Sequence, residues 1–138
     1  MTSEDEIPDA VVDAIFKNDW NKAFEILSEL SKTGNANAEH FMGWFYEQGL
    51  EVAQSDTEAF NWWLKSAPKG IVESQSGLAQ LYETGRGTEK NNLEAYFWYS
   101  QAILNGDTEA QISISNLSTK MNSAELNSAR ELLHNRTS

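Results

Sequence analysis

The fold is decided by residues 78–87, LAQLYETGRG, which recur in altered form 36 residues earlier, at residues 42–51, as MGWFYEQGLE. Small and aromatic positions outside these stretches share the same offset, among them Ala23–Ala59–Ala95, Gly34–Gly70–Gly106, Glu58–Glu94 and Trp62–Trp98. A repeated packing unit requires matches at such positions, and periods of about 20–50 residues are typical of solenoids and related repeat folds. The sequence therefore predicts a helical-repeat protein.

Each copy of the repeat is predicted to form two helices. In the second copy, Leu78, Leu81 and Tyr82 recur at i, i+3 and i+4, which indicates the apolar face of a helix. The segment 84–87, TGRG, ends that helix, because glycine adopts the left-handed conformation of a C-cap at no steric cost. Asn91 or Asn92 can cap the second helix, which we expect to end near residues 105–106, Asn-Gly.

This register predicts one domain over residues 1–138, with about eight helices and no strand. Its expected parts are a loose acidic tail over 1–7, an N-terminal helix pair over 8–34, full repeats over 36–70 and 72–106, and a last partial repeat with a C-terminal capping helix over 107–136. Ser123 is the expected N-cap of the capping helix, since an acidic residue follows in its first turn.

Several of these stretches resemble the Sel-1-like repeat. They are GWFYEQG at 43–49 with EAFNWWLKSA at 58–67, LAQLYETGRG at 78–87 with EAYFWY at 94–99, and GDTEAQ at 106–111. The resemblance covers about residues 19–120 and implies an all-α fold, a right-handed, tetratricopeptide-like α-solenoid of antiparallel helix pairs. Proteins of this family serve as adaptors and scaffolds, and many are bacterial, so the resemblance implies protein–protein interaction without naming a partner.

The first full copy departs from the family's pattern at two positions. Glu51 stands where the second loop glycine is expected, so we expect that loop to differ in shape. Pro68 lies near the end of the second helix, where we expect the helix to stop early or kink. Both departures fall in one copy, which marks it as the copy adapted to a partner.

Negative charge is concentrated in the first half of the chain. Residues 1–60 hold thirteen acidic and three basic residues, a net charge of −10 out of −11 for the whole chain. Nucleic-acid binding is disfavoured, because phosphate contacts need clustered Lys and Arg. A partner with a basic surface is favoured, since complementary fields speed encounter. The alternative is that the acidity serves solubility alone.

The sequence offers no catalytic or metal-binding constellation. It contains no cysteine and two histidines, His40 and His134, which are far apart. Two distant histidines without a cysteine are a poor ligand set for zinc, so we expect no metal and no cofactor, and we interpret His40 as a packed, half-buried residue. The start, MTSEDEIPDA, lacks the basic and apolar regions of a signal peptide, and no apolar run approaches the length of a membrane span. We therefore expect a cytoplasmic protein that is not an enzyme and does not bind membranes.

Candidate partner-binding positions are those that vary between copies. Phe41, Trp44 and Gln48 lie at i, i+3 and i+7, on one helix face. The next copy carries Gly77, Gln80 and Thr84 at the corresponding positions. With the neighbouring acids, the candidate partner-binding set is Phe41, Trp44, Glu47, Gln48, Glu51 and Gln80. Trp44 has two interpretations: an interface anchor, as aromatic residues often are, or a core residue packed on the preceding helix, 20–31. The repeated residues Trp62, Trp98, Tyr46 and Tyr82 are assigned to the core.

Three functional hypotheses remain. The first is a non-catalytic adaptor that binds a partner protein through its acidic, aromatic N-terminal half. The second is a bacterial cytoplasmic immunity protein that neutralises a basic toxin or effector. The third is an enzyme, or a regulatory subunit of one, which the residue content disfavours. The sequence leaves the oligomeric state open.

Overall fold

The computed structural model describes residues 6–137, over which the chain forms eight α-helices and no strand. The helices are α1 (Asp9–Phe16), α2 (Trp20–Ser31), α3 (Ala36–Gln48), α4 (Asp56–Ser66), α5 (Val72–Thr84), α6 (Asn92–Leu104), α7 (Ala110–Thr119) and α8 (Ser123–Thr137). α1 packs on α2, α2 on α3 and α3 on α4, while α6 packs on α5, α7 and α8. The all-helical class expected from the repeat is confirmed.

The helices form two compact units, which divide between Ile71 and Val72. The first unit holds α1–α4 and the second α5–α8. Residues 1–5 of the expected acidic tail lie outside the described residues. Glu6 and Ile7 belong to the first unit, because the Glu6 carbonyl accepts a hydrogen bond from Asn35 Nδ2 at 3.1 Å and Ile7 packs on the core. The single domain over 1–138 stays a prediction.

Polar side chains begin most of the helices. Four caps accept a hydrogen bond from the backbone N–H three residues on: Asp19 for α2, Asn35 for α3, Ser55 for α4 and Asn91 for α6. At α8 the predicted cap, Ser123, is wrong by one residue. Asn122 Oδ1 accepts from the Glu125 N–H at 2.8 Å, and the Glu125 carboxylate accepts from the Asn122 N–H at 3.3 Å, a reciprocal capping box.

The two loops that join the helices of the full repeats have matching backbones. Gly49 and Gly85 have φ of 67° and 70°, and two residues on Glu51 and Gly87 have φ of 66° and 73°. The expectation that Glu51 changes the loop shape is therefore wrong. The glutamate adopts the left-handed conformation that glycine takes in the other copy, at a cost of about 1 kcal/mol.

Pro68 shortens α4, as predicted. That helix ends at Ser66 and continues as a 3₁₀ turn over Ala67–Lys69, because proline removes a backbone donor. The turn brings Lys69 Nζ within 2.8 Å of the buried Glu39 carboxylate and 3.1 Å of the Gly34 carbonyl. The early helix end thus places the Lys69 cation beside the Glu39 carboxylate. A buried carboxylate needs such a partner, because an unpaired buried charge is costly.

Within the first unit, α3 and α4 approach closely at Gly43. A Cβ atom at this position would lie 2.4 Å from Trp63 Nε1. The Trp63 indole is 4% exposed, and its N–H donates to the His40 carbonyl at 3.1 Å. Trp63 is therefore the buried tryptophan of this pair of helices. Trp62, which the sequence assigned to the core, is half-buried, with Lys65 Nζ 4.4 Å from its ring centroid.

The second unit carries different residues at the positions equivalent to Gly43 and Trp63. Ala79 occupies the position of Gly43, and Tyr99, which is buried, occupies that of Trp63. The Tyr99 hydroxyl donates to Glu83 Oε1 at 2.7 Å. A phenol ring is smaller than an indole, so the second unit carries a smaller ring where its first helix carries a larger residue than glycine. Trp98 is buried, as predicted, whereas Tyr46 and Tyr82 are half-buried rather than core residues.

Arg136, near the end of α8, contacts two residues of α6. Arg136 donates to both carboxylate oxygens of Glu94, with 2.9 Å between Nη1 and Oε2. Its guanidinium carbon lies 4.6 Å from the centroid of the Phe97 ring. The bidentate ion pair and the cation–π contact together hold the C-terminal end of α8 against the unit.

Candidate functional site

The first unit contains an open groove with a volume of about 210 Å³. Five partly exposed side chains line it: Ile15 from α1, Trp20 from α2, and His40, Phe41 and Trp44 from α3. Four of these five carry rings. The groove is therefore apolar, and its walls are mainly aromatic.

Local sequence explains how these rings meet. His40 and Trp44 lie at i and i+4 on α3, with Phe41 beside them, so they share one side of the helix. Trp20 begins α2 directly after a tight turn in which Asn18 adopts a positive φ of 56°. Asn tolerates this conformation better than most residues, which allows α2 to start beside α1.

Trp44 packs on the preceding helix, as one of its two interpretations predicts, and also lines the groove. Its ring centroid lies 5.4 Å from that of Trp20 and 5.3 Å from that of Phe45, so it packs on α2 and on the core. It remains partly exposed and lines the groove. Trp44 is thus a wall of the groove whose back face is supported by other rings.

His40 connects the groove to the core. It is half-buried, as predicted, and its ring lies nearly parallel to that of Trp63, at 19° with centroids 6.3 Å apart. Its carbonyl also accepts the Trp63 N–H. His40 therefore contacts both the groove and Trp63, the residue at the close approach of α3 and α4.

The other predicted partner-binding residues lie outside the lining of this groove. Glu47 is half-buried one turn beyond Trp44, and Gln48 is exposed at the end of α3. Glu51 is exposed and accepts a hydrogen bond from Asn21 Nδ2 at 3.3 Å. Gln80 belongs to the second unit.

Gln80 lines a different groove, which is polar and has a volume of about 330 Å³. Glu83 lies at its centre, where it accepts from the Tyr99 hydroxyl and lies 3.7 Å from Lys120 Nζ. Burial and the bond to Glu83 raise the pKa of Tyr99 above its ordinary value. The groove is completed by Thr84, Arg86, Ser113 and Asn116.

The groove residues on α3 stand at repeat positions that carry different residues in the second unit. Trp44 corresponds to Gln80, and His40 and Phe41 correspond to Ser76 and Gly77. Equivalent positions on the first helix of each repeat are thus aromatic in the first unit and polar or small in the second. The aromatic groove is a feature of one copy and is not imposed by the repeat.

Sequence reasoning missed three residues of the aromatic groove: Ile15, Trp20 and His40, which it interpreted only as a packed residue. Ile15 and Trp20 precede the full repeats, so comparison of copies could not reach them. A pattern on α1 marks Ile15: it lies three residues after Val12 and directly before Phe16, which are exposed, and is itself only partly buried. Val12 is 43% and Phe16 is 84% exposed, which is unusual for large apolar side chains.

The first unit is negatively charged, whereas no Asp, Glu, Lys or Arg side chain lines the groove. Residues 6–71 hold eleven acidic side chains and five lysines, a net charge of −6. Three of the lysines pair with acids within 3.0 Å: Lys17 with Asp13, Lys32 with Glu29 and Lys69 with Glu39. None of the five lines the groove. The unit therefore presents an aromatic depression in a negative field.

Across residues 6–137, no group of three or more His, Asp or Glu side chains is arranged to hold a metal ion. The same part of the chain has no helix that is both long enough and apolar enough to cross a membrane.

The geometry defines a class: an all-α protein of repeated helix pairs with an aromatic groove in its first unit. The family model for the Sel1 repeat matches residues 36–70 and 72–107. The chain belongs to the Sel1 repeat family. Proteins of this family are generally non-catalytic modules for protein–protein interaction.

Solved structures of the same kind are similar to this chain. A Sel1 repeat protein from Oxalobacter formigenes is 30% identical over 67% of this chain and 38% of its own, with a TM-score of 0.65. The c5321 protective antigen of uropathogenic Escherichia coli, which displays an SLR fold, is 25% identical over 81% and 24%, with a TM-score of 0.77. Cysteine rich protein B of Helicobacter pylori is 26% identical over 65% and 68%, with a TM-score of 0.62.

The chain spans 38% and 24% of the first two of these proteins. No curated protein sequence matches it. The helix-pair repeat and the family expected from the sequence are confirmed by these matches.

Proposed function

We propose that this chain is a non-catalytic interaction module that binds a partner protein with a basic surface through its acidic, aromatic first unit. The observation that carries the proposal is the aromatic groove, which occupies repeat positions that are polar or small in the second unit. Aromatic residues that are not needed for the repeat, and that remain partly exposed, are typical anchors of protein interfaces. The proposed site of action is the bacterial cytoplasm.

The partner-binding residues have graded roles in this proposal. Phe41 and Trp44 form the anchor site in the groove. Glu47, Gln48 and Glu51 extend it with polar and negative groups along the end of α3 and the following loop. Gln80 supplies a polar contact from the groove of the second unit.

A narrower candidate is an immunity protein that neutralises a basic toxin or effector. The net charge of −6 over residues 6–71 favours it, because charge complementarity raises the rate of association with a basic target. The identity of the partner distinguishes the two candidates. A single basic toxin favours immunity, whereas several unrelated proteins favour a general adaptor.

The test compares two Trp→Gln variants as bait for proteins from the source cell. Trp44→Gln introduces the residue that the second copy carries at that position, and Trp62→Gln makes the same change at a half-buried tryptophan outside the groove. We expect Trp44→Gln to lose a partner that the wild type and Trp62→Gln both retain, with the helical circular dichroism unchanged. Equal capture by all three proteins contradicts the proposal.

A further inference from the structure

The walls of the groove favour a cation over a neutral group. Trp20, Phe41 and Trp44 contribute aromatic rings, whose faces carry the negative side of a quadrupole, and Trp attracts cations best. Elsewhere the chain itself places cations on ring faces: Lys65 lies over Trp62 at 4.4 Å and Arg136 over Phe97 at 4.6 Å. The groove is lined by rings of the same kind and by no Lys or Arg side chain.

The groove is small and open, with a volume of about 210 Å³. We take its occupant to be one long side chain of a segment that runs along the surface outside it.

The spacing of the two indoles limits how that side chain can lie. A planar group between two rings needs about 7 Å, twice a contact distance of about 3.5 Å. The centroids of Trp20 and Trp44 are 5.4 Å apart and the rings are inclined by 43°. A planar cation must therefore stack on the groove side of one ring and cannot insert between them.

We infer that the groove binds an arginine side chain of the partner, with its guanidinium group stacked on Trp20 or Trp44. Its methylene groups pack against Ile15 and Phe41, as long charged side chains do on apolar surfaces. The negative field of the unit favours a cation over leucine. Stacking and weaker hydration favour the planar guanidinium over the strongly hydrated ammonium of lysine. This inference rests on the proposed function and names the group that the groove recognises.

The test uses the full chain, labelled with ¹⁵N, and blocked tripeptides Ac-Gly-Xaa-Gly-NH₂ in which Xaa is Arg, Lys or Leu. The indole N–H signals of the five tryptophans report where each peptide binds. We expect the Arg peptide to shift the signals of Trp20 and Trp44 but not Trp98, and to bind about threefold to thirtyfold more tightly than the Leu peptide, the range that a cation–π contact supports. The Lys peptide should bind more weakly than the Arg peptide.

Two variants complete the test. Trp44→Gln should weaken binding of the Arg peptide. Trp44→Phe keeps a ring and should preserve the preference for the Arg peptide over the Leu peptide. Equal or tighter binding of the Leu or Lys peptide, or no shift at Trp20 and Trp44 with the Arg peptide, overturns the inference. If the inference fails in this way but Trp44→Gln still loses the partner, the proposed function stands. If the Arg peptide binds as expected but the variant retains the partner, the proposed function fails.

Discussion

The close contact of Gly43 with Trp63 gives the sharpest prediction about stability. In Gly43→Ala the new Cβ would lie 2.4 Å from Trp63 Nε1 and 2.5 Å from Cδ1, where about 3.5 Å or more is needed. The indole is almost fully buried and is held by the His40 carbonyl, so it cannot move aside without cost. The helices must separate or the ring must leave its hydrogen bond.

The magnitude follows from three opposed terms. Overpacking a core costs about 1–3 kcal/mol, and a strained or lost indole hydrogen bond adds about 1 kcal/mol. Alanine in a helix interior recovers about 1 kcal/mol relative to glycine. We therefore expect Gly43→Ala to lower the free energy of unfolding by about 1–3 kcal/mol, and the melting temperature by about 4 °C for each of these kcal/mol.

The second unit supplies the compensating change. There Ala79 and Tyr99 stand at the equivalent repeat positions, so Gly43→Ala combined with Trp63→Tyr introduces a combination that the chain already carries. The double variant should be more stable than the sum of the two single changes predicts, by about 1 kcal/mol or more. Chemical denaturation of the four proteins measures this coupling. The account of the α3–α4 contact would be refuted if Gly43→Ala were as stable as the wild type. It would also be refuted if the changes in unfolding free energy of the two single variants simply added in the double variant.

Three further changes test other parts of the structure. Glu51→Gly should raise the unfolding free energy by about 0.5–1 kcal/mol in thermal denaturation, because glycine relieves the left-handed strain as Gly87 does, and a decrease would contradict this. Arg136→Gln should loosen the C-terminal end of α8, so that hydrogen exchange increases in the last turn of that helix and not in α3; unchanged exchange there would contradict the role of Arg136 in holding that end. Because the pKa of Tyr99 is raised in the folded state, the unfolded state loses this proton first as the pH rises, so stability is complete below about pH 10 and falls above it by up to about 1.4 kcal/mol per pH unit. Tyr99→Phe should reduce this slope, measured by denaturation at pH 9–11, and an unchanged slope would count against the assignment.

The sequence predicts the helix pairs well because the residues that set them act locally. The caps Asp19 and Asn91, and the glycine C-caps of the repeat, need only their own neighbours to act. Glu51 shows where local reasoning fails. Residue type argued for a new loop shape, but the surrounding loop imposes the conformation and the glutamate is strained to fit it.

The aromatic positions show a second limit. Sequence comparison ranks Trp62 as the core residue because it is repeated as Trp98, yet the buried indole is that of Trp63. Burial at this point depends on the size of the facing residue, Gly43, which no pattern along a single helix reveals. The same holds for the groove: Trp44 was identified by its variation between copies, whereas Trp20 joins it only through the packing of α2 on α3.

The central claim is that Trp44 anchors the partner in the groove of the first unit. Isothermal titration of the recovered partner with the wild type, Trp44→Gln and Trp62→Gln tests it most directly. We predict that Trp44→Gln weakens binding by about thirtyfold or more, corresponding to about 2 kcal/mol for an anchor residue, while Trp62→Gln binds as the wild type does. Wild-type affinity in Trp44→Gln, or an equal loss in both variants, would contradict the claim.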